Sequence, residues 1–326
     1  MTKMIKNYFQ KIKKTVADDA MRLCIIIAFF VFMPIISPYF LQTRNMMNIL
    51  QNVSLQGITA IGMTIVIITG GIDISVGGVM AMCAWIAASL MKNGLYWPLA
   101  LFLCILIAVI CGMVNAFSIG IMKIPPMIAT LAMMNMTRGL QTVLSRGKTL
   151  TGLPISFQFL GQGMLFDIIP LPAAIIILLY LAASWFMKNT ITGRSIYAVG
   201  GNPEAARVAG IKNTHILFFS YIACAVFSTI AGLIFISRTN SAPSTLGNAL
   251  EMRAIMAAVI GGTSVTYGGK GKIFGTFLGV IIVGLITNAL DLLGVSAYYQ
   301  QFIQGLLVLI VVMLEALKTM NHAKKS

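Results

Sequence analysis

Apolar residues run along the chain in long stretches at 23–41, 46–69, 75–92, 97–122, 126–145, 169–187, 214–238, 249–262, 273–291 and 296–316. None shows the alternation of an outer-membrane barrel strand. Several reach the ~20 apolar residues that a helix needs to cross a bilayer. The pattern predicts an all-α, polytopic integral membrane protein with about ten transmembrane helices. The stretch 249–262 is short, and 126–145 carries Arg138. An even number of crossings places both termini on one side.

Three polar interruptions carry the information. Residues 192–211 read TGRSIYAVGGNPEAARVAGI and contain a short, well-punctuated helix. Asn202 is an N-cap, Pro203 takes the first helical position, and Glu204 sits where the helix dipole favours negative charge. Ala205, Ala206 and Arg207 are helix formers, and Gly210 suits a left-handed C-cap. Two turns cannot stand alone in water, where ~12–15 residues are already marginal. This helix is either a docking element or an ordinary loop helix on the membrane surface.

The second interruption, TGGIDISVGG at 69–78, breaks an apolar run at Gly70 and Gly71. Ser75 is placed to cap the helix that resumes. Two readings stand for Asp73, Ser75 and Gly77. They cap a helix at the interface, or they lie in a break at membrane depth, where an ionisable residue marks function. The third interruption, VIGGTSVTYGGKGK at 259–272, shares a VI, GG and SV flavour with the second. The pair is compatible with a 5+5 inverted repeat. Gly275, Gly279 and Gly284 allow close helix packing. The amides of Asn52, Gln56, Asn115, Asn135, Asn288, Gln300, Gln301 and Gln304 suit either a hydroxyl-rich solute or bonding between helices.

Composition agrees: 58% of residues are hydrophobic and 10% charged, against ~25% charged in soluble domains. The net charge of +15 follows from topology signals. With a cytoplasmic N-terminus, the inside holds Lys3, Lys6, Lys11, Lys13, Lys14, Arg22, Lys123, Lys188, Arg194, Arg207, Lys212, Lys270, Lys272, Lys318, Lys324 and Lys325. The outside holds only Arg44, Lys92, Arg146, Lys148 and Arg238. Such a bias predicts cytoplasmic termini and a cytoplasmic 192–211 segment. The chain then divides into a basic N-terminus (1–22), a permease domain (23–316) with a cytoplasmic loop at 188–213, and a basic tail (317–326). Lipid, not nucleic acid, is the partner of the basic N-terminus. The first apolar run has no small-residue cleavage site after it and reads as a retained helix.

Enzymatic chemistry finds little support. His215 and His322 read as interfacial and solvated. The cysteines Cys24, Cys83, Cys104, Cys111 and Cys224 all lie in apolar spans without metal or disulfide spacing. No metal site is expected. Gly147-Lys148-Thr149 resembles the end of a phosphate-binding loop, but Thr142 occupies its first glycine position. Any ATP use belongs to another chain.

Over roughly residues 40–316 the chain resembles permease subunits of bacterial ABC monosaccharide importers, the ribose/galactose/arabinose/xylose permease family. The carrying motifs are GGIDISVG (70–77), TGRSIYAVGGNPEAARVAGI (192–211), AAVIGGTS with GGKG (257–271), and NALDLLGVSAYYQQFIQGLL (288–307). The resemblance implies a transport subunit, not an enzyme, in the bacterial inner membrane. It binds no cofactor itself, and ATP is hydrolysed by a separate cytoplasmic ABC ATPase. Further implied partners are a second permease, the same or related, and a periplasmic or extracellular sugar-binding protein. Gly193, Arg194, Gly200, Gly201, Asn202, Pro203, Glu204, Ala205, Ala206, Arg207 and Gly210 become the element coupled to the ATPase. Gly70, Gly71, Asp73, Ser75, Gly77, Asn115 and Asn288 are the helix-break and pathway candidates. Arg253, Gly78 and Tyr267 depart from the family pattern and bear on which sugar is carried. An ion-coupled secondary transporter working through Asp73, or a membrane scaffold without flux, are the alternatives.

Overall fold

A backbone surrounded by lipid has to satisfy its own N–H and C=O groups, so long apolar runs become helices. A computed structural model of the chain describes the backbone of residues 2–323 and the side chains of residues 19–296 and 298–313. The basic positions before residue 19 and the tail at 317–326 lie outside the described side chains. Five helices open the chain: α1 (Thr2–Ile36), α2 (Thr43–Ile68), α3 (Val76–Lys92), α4 (Trp97–Gly120) and α5 (Pro126–Ser145). A linking segment carries β1 (Leu150–Thr151), α6 (Ile155–Gln162), β2 (Met164–Leu165) and β3 (Ile169–Pro170). Then come α7 (Leu171–Asn189), α8 (Ile191–Gly201), α9 (Pro203–Val208), α10 (Asn213–Thr239) and β4 (Ser241–Ala242). Last are α11 (Leu250–Ile260), α12 (Ile273–Leu292) and α13 (Ala297–Ala323).

Among the described residues, six helices are long and apolar enough to cross a membrane: α2, α4, α7, α10, α12 and the Asp19–Ile36 part of α1. The chain is thus mostly helical and multi-pass. The stretch read as a span at 249–262 contains only the 11 helical residues of α11. At 1.5 Å per residue that is about 16 Å, roughly half of a hydrocarbon core. Its approach from β4 is irregular backbone.

The core is built around α2 and α10. From Val53 to Ile68 the α2 surface is buried, and α10 packs on α4, α2 and α3. Polar residues inside α2 bond one turn back: Ser54 donates to Leu50 O, Thr59 to Leu55 O and Thr64 to Ala60 O. Small residues set the closest crossings. Gly275 and Gly279 lie against the backbone of Gly261 and Ala257, and Gly284 against Val53, as their spacing predicts. The 146–168 segment is docked: Ser237 Oγ donates to Phe157 O (2.7 Å) and accepts from Gly161 N (2.8 Å). Strands β1 and β4 pair antiparallel, Leu150 opposite Ala242.

Candidate functional site

The 192–211 segment forms two helices where one was expected. Thr190 Oγ1 accepts from Gly193 N (3.0 Å) and caps α8, whose Ser195, Ile196 and Val199 are buried. Gly193 packs on the backbone of Phe186 and Met187, and Arg194 reaches the Asn189 carbonyl. Asn202 then breaks the helix in an extended conformation (φ −159°) and caps α9 by accepting from Ala205 N at 3.0 Å. Gly210 takes φ +83°, donating to Arg207 O while Ile211 N donates to Ala206 O, a Schellman closure. Asn213 Nδ2 adds a bond to Pro203 O (2.8 Å). Only Ala206 of α9 is buried; Pro203, Glu204, Ala205, Arg207 and Val208 are exposed. The Glu204–Arg207 pair (2.8 Å) is exposed and contributes little. The result is a rigidly capped, protruding helix.

Beneath it three backbones meet. The α2 terminus closes as a Schellman motif, with Gly70 N on Ile67 O and Gly71 N on Val66 O. This leaves the Ile68 carbonyl free, and Gly269 N fills it from the 263–272 loop at 2.7 Å. Gly200 sits against that bond: a Cβ there would collide with Ile68 O and Gly269 N. Gly268 lies against Gly200, and Gly269 (φ +72°) against Gly201 and the Tyr197 carbonyl. Tyr197 Oη donates to Gly271 O (3.2 Å). Burial pushes this hydroxyl above the usual tyrosine range, so it stays a donor. The α11 terminus closes in the same way as α2, through Gly262 N on Val259 O and Thr263 N on Ala258 O. Its free carbonyl, Ile260 O, is met by Arg22 Nε at 2.8 Å.

Most of the 69–78 break is buried within the protein, with Gly70 exposed. Asp73 is wholly inaccessible, and its Oδ1 accepts from both the amide (2.9 Å) and the hydroxyl (2.5 Å) of Ser75. Asn115 Nδ2 of α4 donates to Ser75 Oγ (3.0 Å), and Thr130 of α5 donates to Ile72 O (3.3 Å). Gly71 lies against the Tyr221 hydroxyl of α10. Ser75 was expected to cap α3, but its side chain makes no cap hydrogen bond. Asp73 claims it instead. The break is thereby tied to α4 and α5.

A second irregular stretch, 243–249, leads from β4 to α11. Arg138 Nη1 of α5 donates to Leu246 O, and Gly247 (φ +71°) abuts the backbone of Gly77. A Cβ at Gly77 would also meet Glu251 Oε2 and Arg138 Nη2. Arg253 bonds the Asn248 carbonyl at 2.8 Å and reaches Ala249 O, while Asp291 accepts from Gln300 (2.7 Å). Asn288, a pathway candidate, exchanges amide bonds with Asn45 (2.7 and 3.1 Å) and joins α12 to α2. Sequence reasoning missed Arg22, Tyr197, Gly268 and Gly269 as members of the site. The paired glycines in both loops were the available signal.

A family model described as "Branched-chain amino acid transport system / permease component" matches residues 45–312. The chain belongs to this permease family. The permease is 40% identical over 291 residues to the ribose import permease protein RbsC of Bacillus subtilis (strain 168), covering 89% of this chain and 90% of that one. It is 36% identical over 314 residues to RbsC of Escherichia coli (strain K12), covering 95% and 96%. It is 34% identical over 284 residues to the autoinducer 2 import system permease protein LsrC of Yersinia pseudotuberculosis, covering 87% and 80%. No solved structure matches the permease. A permease component moves its solute without bond chemistry, which accounts for the absence of catalytic motifs in its sequence.

Proposed function

We propose that this permease imports a monosaccharide, a pentose or hexose, across the bacterial inner membrane, driven by a separate cytoplasmic ATPase. The observation that carries this reading is the near full-length similarity to ribose import permeases. In this reading the α8–α9 end faces the cytoplasm with both chain termini, and α9 is the surface on which the ATPase docks. Capping at both ends, together with exposure of Glu204, Ala205, Arg207 and Val208, supports that role. The ATPase hydrolyses the ATP, a second permease completes the pathway, and an external sugar-binding protein delivers the solute. About ten crossings keep the termini together, with α3, α5 and α13 joining the six long helices and the irregular 243–249 stretch together with the half-length α11 making one broken crossing.

The test is a gentle detergent pull-down of the tagged chain, followed by ATPase assay and uptake of labelled ribose, xylose and galactose in vesicles. A stoichiometric P-loop partner and ATP-dependent uptake of one of these sugars are expected. A lone chain without ATPase would contradict the reading.

A further inference from the structure

We propose that the 263–272 loop is a second coupling element, which receives the motion of α8–α9 and passes it to both α2 and α11. Gly200 is the positioning residue of that contact. The inference rests on the ATP-driven reading above and adds the route by which the motion enters the membrane domain.

The contact is made by backbone alone. Gly200 and Gly201 of α8 face Gly268 and Gly269 of the loop, and the Gly269 amide is bonded to the last α2 carbonyl, Ile68 O, at 2.7 Å. At Gly200, Gly268 and Gly269 the nearest atoms across the contact are all backbone, which cannot absorb a displacement by changing rotamer. Packed backbones transmit small shifts because they deform little. The loop is internally closed, with Ser264 N donating to Lys270 O (3.1 Å) and Tyr267 N to Ser264 Oγ (3.1 Å). It is therefore positioned to move as a unit. Tyr197 ties α8 to it a second time through Gly271 O.

Two routes leave the loop. One is α2, buried and packed on α10, α12, α11 and α7. The other is α11, which runs from the loop to Glu251 beside the Gly77–Gly247 contact. A push on α8 thus reaches the irregular 243–249 stretch through one short helix. A glycine elsewhere supplies a control. A Cβ at Gly200 collides with Ile68 O and Gly269 N, whereas one at Gly139 of α5 meets nothing within 4 Å.

The experiment uses the assembled importer in proteoliposomes, comparing Gly200→Ala, Gly139→Ala and Tyr197→Phe. Readouts are ATPase retained on the permease, ATP hydrolysed, and sugar imported per ATP. Gly200→Ala should keep its ATPase but lose about tenfold in sugar per ATP, because the overpacked contact is forced apart. Gly139→Ala should stay within about twofold of wild type. Tyr197→Phe, which adds no atoms, should lose about two- to fivefold, as expected of one lost hydrogen bond. Wild-type sugar per ATP in both Gly200→Ala and Tyr197→Phe overturns the proposal, as does equal impairment in Gly139→Ala. If Gly200→Ala fails to assemble, Tyr197→Phe decides alone. A wild-type assembly without any ATPase overturns the functional reading itself, and this inference with it.

Discussion

The Arg22 guanidinium donates to the Ile260 carbonyl oxygen at 2.8 Å, so the first helix closes the end of a helix 238 residues further on. The site is suited to a cation: Ile260 O is left over by the Schellman closure of α11, and the negative end of the helix dipole lies there. Arg22 is itself buried and paired with Asp19 at 2.6 Å. Replacing Arg22→Met removes the donor and leaves a carbonyl without a partner, costing about 1–3 kcal/mol. The purified protein should melt several degrees lower, as read by tryptophan fluorescence. Asp19→Asn should cost less, since Asp19 is more exposed and keeps an acceptor oxygen. An unchanged melting temperature in Arg22→Met would show that the α11 terminus needs no cap from α1.

Asp73 gives the second prediction. Its Oδ1 takes two bonds from Ser75, which in turn accepts from Asn115, so the carboxylate holds the α2–α3 break against α4. Asp73→Asn retains an acceptor oxygen and should preserve most ATP-driven uptake. Asp73→Leu strips the acceptor from buried donors and should destabilise the break by about 2–3 kcal/mol. Uptake in vesicles with ATP, and then with an imposed proton or sodium gradient alone, distinguishes the roles. Gradient-driven uptake that vanishes in Asp73→Asn would instead make Asp73 an ion-coupling residue.

The third concerns Arg138, which anchors the irregular 243–249 stretch through Leu246 O. Without that charged donor the stretch should lift away from α3, since hydrogen bonds to charged groups contribute about 1.5–3 kcal/mol. In a variant whose exposed Cys24 is replaced by serine, maleimide labelling of Leu246→Cys, a buried position, should quicken by about tenfold or more when Arg138→Met is added. Arg138→Lys should restore part of the protection. Equal labelling in all three backgrounds would mean that the Gly77–Gly247 packing seats the stretch unaided.

What the sequence disclosed follows from the range of the interactions. Apolar run length marked the helices, and Asn202, Pro203 and Gly210 marked α9, because caps act within a few residues. Helix α8 escaped notice since ITGRSIYAVGG is rich in glycine and β-branched residues, which have weak helical preference. Its buried face supplies what propensity lacks. Ser75 looked like a cap by position, but Asp73 two residues earlier competes for its hydroxyl. The Gly200–Gly269 and Arg22–Ile260 contacts join distant segments, and no local pattern encodes such a pairing. The 249–262 stretch holds an 11-residue helix that begins at Leu250 after the left-handed Ala249, and the irregular backbone before it has no local signature in the sequence.

The most direct test of the coupling role of α9 is Ala205→Arg, which adds charge to an exposed position without removing a cap. Permease and ATPase would be co-expressed, and ATPase retention measured alongside sugar uptake. The expected result is a normal melting temperature, with ATPase retention and ATP-dependent uptake both reduced by about tenfold or more, as for a charge forced into a docked interface. Full retention and full uptake in Ala205→Arg would contradict the assignment of α9 as the docking helix.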